Sequence, residues 1–382
     1  MVVAKCPDAQ GRRRICRITV SASQLNTLLL LTICSANYFL LRNGEFSLAL
    51  IRDIEHLKIS RLTTRSGGTS MIREQDLNLA LLRASLGTTA QHDPSLLQLK
   101  FQMPSGPIRP LLPSLSDKVL SSSTTSNPGE MTSFDDLLLG TTLVLTYNVA
   151  WPLDLFLYPS DLQIYSAMFN YLSSLRKTHT RIHTCWTSLS NAQRARRRWT
   201  GLGEGGTTED LEARKQLLRC GWGVVRDMGW FLDSLLGYVM VDVVDVEFRR
   251  LRELLNNPRR ARSESVGRTG NKAPQSGAVE AGTGTDRTYL DFTTLRNLHT
   301  TYLERVVTGC LLSHSTLAGI LRPIFEVCER FVAQVERWGG DVLPALLFEG
   351  SIATGDNKVG AMVQERLQVV SEINKVSKTC AV

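Results

Sequence analysis

The chain has 382 residues, 43% hydrophobic and 21% charged, with a formal net charge of +8. That much apolar content excludes a wholly disordered polypeptide and supplies a buried core for one large or two ordinary domains. The positive excess suits an acidic partner, but the basic residues are scattered or gathered in Gly-rich stretches and form no recognised nucleic-acid-binding motif.

At the N-terminus, Arg12, Arg13, Arg14 and Arg17 precede an apolar run from Leu25 to Cys34 and the small Ser35 and Ala36, an imitation of a secretory signal. Ser21, Ser23, Gln24 and Asn26 dilute the approach, and the run falls short of the ~20 residues of a spanning helix. Residues 1–36 are therefore read as an unmatched leader, disordered or non-native, or as the damaged end of a longer protein. A helix is expected from Asn37 to Lys58, burying Phe39, Leu40, Leu48, Ile51, Ile54 and Leu57. After a Ser/Thr/Gly loop over 61–70, a second runs from Arg73 to Leu86 with Leu77, Leu81 and Leu82 inward. Leu97, Leu99, Phe101 and Met103 alternate as in a strand and can pair with Leu143, Leu145, Tyr147, Val149 and Trp151. The Pro/Ser/Thr-rich 104–133 between them is too poor in apolar residues to order itself and reads as an inserted, disordered linker.

After Pro159 the apolar period turns helical, through Leu162, Tyr165, Phe169, Leu172, Leu175, Ile182, Trp186 and Leu189, with Ser160 and Gln163 spaced as a capping box. Further linkers are expected at 194–210 and 256–287. Between them, Leu211 to Leu255 is helical through Leu218, Trp222, Val225, Phe231, Leu235, Val239, Val243 and Val246. Tyr289 to Leu312 and Leu317 to Trp338 form a helical pair broken at Ser313, and Val359 to Val376 is a last helix with Met362, Leu367, Val370 and Ile373 inward. The predicted fold is mainly α: a bundle of long antiparallel helices with a small strand pair and disordered inserted linkers.

The eight cysteines contain no C-x-x-C pair; Cys185, Cys310 and Cys328 lie on apolar helix faces, and a reducing, intracellular compartment fits best. His179 and His183 stand four residues apart with Cys185 nearby, the spacing of a zinc pair. The Glu of an H-E-x-x-H motif is absent and no third ligand is near in sequence, so the two are read as a solvated or partner-facing pair and no metal is assigned. The Gly-rich run at Gly201 follows an Arg-rich helix end rather than a strand and lacks the Lys-Ser/Thr of a phosphate-binding loop. No G-x-S-x-G elbow occurs, and Asp242, Asp245 and Glu247 lie within one helix rather than as a facing pair. The sequence predicts neither an enzyme nor a cofactor.

Four segments together carry a resemblance. YNVAWPLDL from Tyr147, followed by Tyr165, FNYL at Phe169 and LRK at Leu175, resembles the strand and helix of the gamma-tubulin complex component family. NYFLLRNGEF from Asn37, YVMVDVVDVEF from Tyr238 and LHTTYL from Leu298 resemble three further family segments in the same order. The resemblance implies the C-terminal, gamma-tubulin-binding helical domain of that family over 37–376, in a truncated chain without the family's N-terminal domain. It further implies gamma-tubulin and other complex components as partners, microtubule nucleation and spindle assembly as the role, and the spindle pole or another cytoplasmic microtubule-organising centre as the place. Neither a membrane nor a nucleic acid is implied.

Each motif residue also has a structural reading. Trp151 ends an apolar strand face, Pro152 stops its ladder, and Tyr165, Phe169 and Tyr302 sit inward on helices, with His299 one turn before Tyr302. Asp242 and Asp245 interrupt a Val-rich run and must face water or a basic partner. Arg176 and Lys177, placed on the solvent side of the long helix beside His179 and His183, are the candidates for contact with an acidic partner. The alternative reading is a basic helical adaptor or nucleic-acid binder using Arg194, Arg196, Arg197, Arg198 and Arg259 to Arg262.

Overall fold

A computed structural model of the chain describes residues 32–63, 72–103, 134–140, 142–149, 154, 156–199, 208–257, 292–337 and 358–380. The first expected helix is two: α1 (32–38) and α2 (Gly44–Thr63) are separated at Leu41, whose φ of 52° is left-handed. Such a conformation is strained for Leu, and complete burial of its side chain offsets the strain. Asn43 then starts α2, its Oδ1 accepting the Phe46 N–H at 3.2 Å. Phe39, Leu40, Ile51 and Ile54 are buried as expected, whereas Leu48 is turned to solvent. In α3 (Glu74–Ser85) Leu77 and Leu81 are buried but Leu82 is exposed, because Ala80 and Ala84 occupy the inner face.

A short 3-10 turn leads into β1 (Leu99–Gln102), which pairs antiparallel with β2 (Val144–Tyr147), Phe101 lying opposite Leu145. An isolated pair of strands is marginal in water, and here helical side chains close both outer edges. Asn78 of α3 accepts the Phe101 N–H at 2.8 Å. On the other edge, Ser166 accepts the Leu145 N–H at 3.1 Å and Asn170 donates to the Leu143 carbonyl at 2.7 Å. Both belong to α4 (Pro159–Trp199), so the long helix satisfies the strand edge as well as packing on it.

The α4 helix starts with Pro at its first position, where a missing N–H costs nothing. Its return bond is not the expected one from Gln163: the Asp161 carboxylate accepts the Tyr158 N–H at 3.1 Å. Tyr165, Met168, Phe169, Leu172 and Leu175 are buried along one stripe, each contributing roughly 1.5–3 kcal/mol through burial. The backbone continues through the Arg-rich end to Trp199, past the start of the linker expected at 194; Leu189 and the arginines beyond it carry no described side chains.

α5 (Thr208–Gly237) runs into a π-helical segment, Tyr238–Asp245, and then α6 (Val246–Asn256). A π-turn inserts a residue into the helical period. The inward stripe therefore slips: Val246, expected inward, is 46% exposed, while Val244 and Phe248 are buried. α7 (Phe292–Gly309) and α8 (Ser315–Arg337) follow, joined by a turn in which Leu311 takes a φ of 65°, and α9 (Lys358–Cys380) completes the described chain. α4 packs against α2, α5 and α8, α9 lies on α5 and α8, and α6 pairs with α7. Among the described residues the fold is mainly helical with one small antiparallel strand pair, in agreement with the sequence. Cys34, Cys185, Cys310 and Cys328 are free thiols. The linker at 104–133, nearly all of that at 256–287, and Trp151 and Pro152 lie outside the described residues.

Gly309 shows how tightly the π-helical segment is held. A Cβ there would meet Val243 Cγ1 at 2.5 Å. Gly309→Ala should therefore destabilise the chain by about 1–3 kcal/mol, measured by urea denaturation, and Val243→Ala in the same chain should recover part of the loss.

Candidate partner-binding site

The four sequence segments that resemble one family converge inside the bundle. Tyr165 of α4 is fully buried, its ring 5.5 Å from that of Phe39 and its hydroxyl 3.0 Å from His299 Nε2 of α7. His299 also faces the ring of Phe156 at 5.0 Å and that of Tyr302 at 6.5 Å. Arg42, from the first segment, donates to Asp245 Oδ1 at 2.6 Å and lies over the Phe248 ring at 4.2 Å, both from the third. Phe169 meets Phe101 at 5.8 Å, fastening the strand pair to α4. Asp242 faces solvent.

Close by, Arg296 of α7 forms a buried ion pair with Asp161, its second nitrogen 3.3 Å from Oδ1, and stacks on the Tyr158 ring at 3.8 Å. One carboxylate thus caps α4 and anchors α7. Burial drives the His299 imidazole down to about 4, opposed by the Asp161 charge and reinforced by that of Arg296. Its Nδ1 has no hydrogen-bond partner.

Two of the four expected contact residues turn inward. Lys177 is 2% exposed; it donates to the Leu137 carbonyl at 2.9 Å and stands 3.4 Å from Glu329 of α8. Arg176 donates to Ser47 Oγ at 2.7 Å, tying α4 to α2. The expectation that both lie on the solvent side of α4 is corrected: neighbouring helices cover that face, and polar partners make burial of the cations tolerable. Burial raises the Glu329 pKa, but Lys177, Arg181 and Lys58 together pull it below the ordinary value. Arg181, which the sequence reading did not single out, pairs with Glu329 and, at 2.7 Å, with Glu336.

His179 and His183 are on the outer flank. Their rings are 4.4 Å apart, and both Nε2 atoms approach Asp233 Oδ1 of α5, at 2.6 and 3.0 Å. Asp233 is the third group that sequence proximity did not offer, since only the packing of α5 on α4 brings it there. Further along α5, Trp230 is 72% exposed beside an apolar groove that it lines with Phe231, Leu317, Ile320 and Ile324. Trp230 falls outside the stripe traced from Leu218 to Val246, and nothing in its spacing marks it. The arginines of the nucleic-acid reading have no described side chains, and the Gly201 run lies outside the described residues.

Together these features define a helical scaffold in which Phe39, Tyr165, Phe169, His299 and Tyr302 of the motif segments are core residues. The family model described as gamma tubulin complex component C-terminal matches residues 34–376, and the chain belongs to that family. It is similar to gamma-tubulin complex component 4 of Arabidopsis thaliana, at 24% identity over 303 residues, covering 78% of this chain and 35% of that protein. The gamma-tubulin complex component 4 homolog of Medicago truncatula is 23% identical, covering 78% of this chain and 36% of that protein. Gamma-tubulin complex component 4 of Homo sapiens is 21% identical over 195 residues, covering 51% of this chain and 22% of that protein. The chain spans about a third of the length of the two plant relatives.

The buried imidazole sets a pH limb. His299 binds its proton near pH 4 in the folded chain, against about 6.5 unfolded, so the unfolded state holds more protons between those values. Its contribution is complete above pH 6.5 and should fall by roughly 3 kcal/mol as pH drops toward 4. His299→Gln, which does not titrate, should flatten this limb in denaturation measured across that range.

Proposed function

We propose that the chain is a non-enzymatic, gamma-tubulin-binding scaffold subunit of a gamma-tubulin complex, supporting microtubule nucleation and spindle assembly at microtubule-organising centres such as the spindle pole. The observation that carries this reading is the family match over 34–376, which contains all four motif segments. The chain supplies position rather than chemistry: several such subunits, each holding one gamma-tubulin, present neighbouring sites at high effective concentration and bypass the unfavourable first steps of tubulin association. Any nucleotide belongs to the tubulin.

Residues 37–376 act in this reading as one gamma-tubulin-binding unit with inserted linkers. Tyr165, Phe169, His299 and Tyr302 build the fold, and the same role is assigned to Trp151 and Pro152. Arg176 and Lys177 brace α4 against its neighbours, leaving His179 and His183 as the outward candidates for contact. The net charge of +8 favours encounter with an acidic protein such as a tubulin. The test is co-purification of the intact chain with gamma-tubulin. Retention at micromolar concentration is expected; a folded chain that fails to retain gamma-tubulin, or retains RNA instead, contradicts the proposal.

A further inference from the structure

The convergence of His179, His183 and Asp233 supports more than a pair of hydrogen bonds. Two histidines one turn apart on α4 and a carboxylate on α5 bring one ligand atom each to within 4.8 Å of one another. Both imidazoles direct Nε2 at the same oxygen, so the three donors point toward one centre rather than past each other. Both helices extend beyond the cluster in each direction, which holds the donors in place before an ion arrives.

We infer that His179 Nε2, His183 Nε2 and an Asp233 carboxylate oxygen form a binding site for a divalent transition ion, with Zn2+ as its occupant. Two imidazoles and one carboxylate are a zinc donor set, and such sites bind Zn2+ more tightly than Fe2+ or Mn2+. Nitrogen and oxygen ligands stand about 2.0–2.2 Å from a tetrahedral zinc and so about 3.3–3.5 Å from one another; the two Nε2 atoms, now 2.6 and 3.0 Å from Asp233 Oδ1, move out from that oxygen by roughly 0.3–0.9 Å to admit the ion. The ion replaces the Nε2 protons of the present hydrogen bonds, and each imidazole then carries its proton on Nδ1. With Asp233 and His183 both about half exposed, a fourth position remains open to water. The bound ion clamps α4 to α5 on the outer flank. This site stands on geometry alone and does not depend on the gamma-tubulin reading.

The test uses the intact, tag-free chain near neutral pH, with Zn2+ and Co2+ as probes and Mg2+ as control. One equivalent of Zn2+ should bind by calorimetry and raise the melting temperature, Co2+ should give a visible d–d spectrum without a thiolate charge-transfer band, and Mg2+ should do neither. His183→Gln and Asp233→Asn should each weaken Zn2+ binding by about tenfold or more. Their side chains are exposed enough that melting without metal should barely change. Imidazole 15N resonances of His179 and His183 should shift on zinc addition to the unaltered chain, a readout free of any folding defect. Absence of binding, binding by both variants as tight as by the unaltered chain, or a thiolate band from Cys185 or Cys220 would overturn the inference.

Discussion

The structure turns on one buried polar contact, the Tyr165 hydroxyl against His299 Nε2 at 3.0 Å. Both groups are fully enclosed and cannot recover water as a partner; losing the Tyr165 hydroxyl leaves His299 Nε2 orphaned in the core, whereas losing His299 leaves that hydroxyl only the longer contact from Ser35 Oγ at 3.4 Å. The contact ties α4 to α7 inside the core. Around it lie Phe39, whose ring meets that of Tyr165 at 5.5 Å, and, one turn away, the Asp161–Arg296 ion pair. An apolar pair in this place would tolerate sliding; a hydrogen bond between two rings does not.

Charge is used in two ways along α4. On the side facing α2 and α8, Arg176, Lys177 and Arg181 are drawn into the bundle and balanced by Ser47, Leu137, Glu329 and Glu336. On the side facing α5, His179 and His183 stay at the surface. A helix in a crowded bundle can send its basic residues inward wherever acidic groups await them, although removing either partner of such a pair is costly. Among the described residues of α4, the basic side chains therefore do not form one binding face.

Much of the fold was legible because local rules and tertiary packing agree. The pairing of the strand at Leu99 with that at Tyr147, the α4 stripe from Tyr165 to Ile182, and the inward Val370 and Ile373 all follow from period; Trp186, expected on the same stripe, is 37% exposed. The failures have separate causes. Leu41 breaks an otherwise helical pattern through a left-handed residue that burial stabilises, and no propensity encodes that. The π-turn after Gly237 shifts the stripe by one residue, so Val246 was placed inward by a period that no longer held. Arg176 and Lys177 looked solvent-facing because sequence shows which face of a helix is polar, but not which neighbouring helix covers it, bringing Ser47 to the one and Glu329 to the other. Asp233 was invisible for the same reason: it is distant in the chain from the histidines it meets.

The central claim is that the family's motif residues make the fold and leave partner contact to the flanks. A double-mutant cycle on Tyr165→Phe and His299→Phe, read in both unfolding free energy and gamma-tubulin affinity, tests it most directly. The account predicts a coupling of about 1 kcal/mol or more between the two sites in stability, with affinity per folded molecule unchanged. Additive stabilities, or loss of affinity in a variant that remains fully folded, would contradict it.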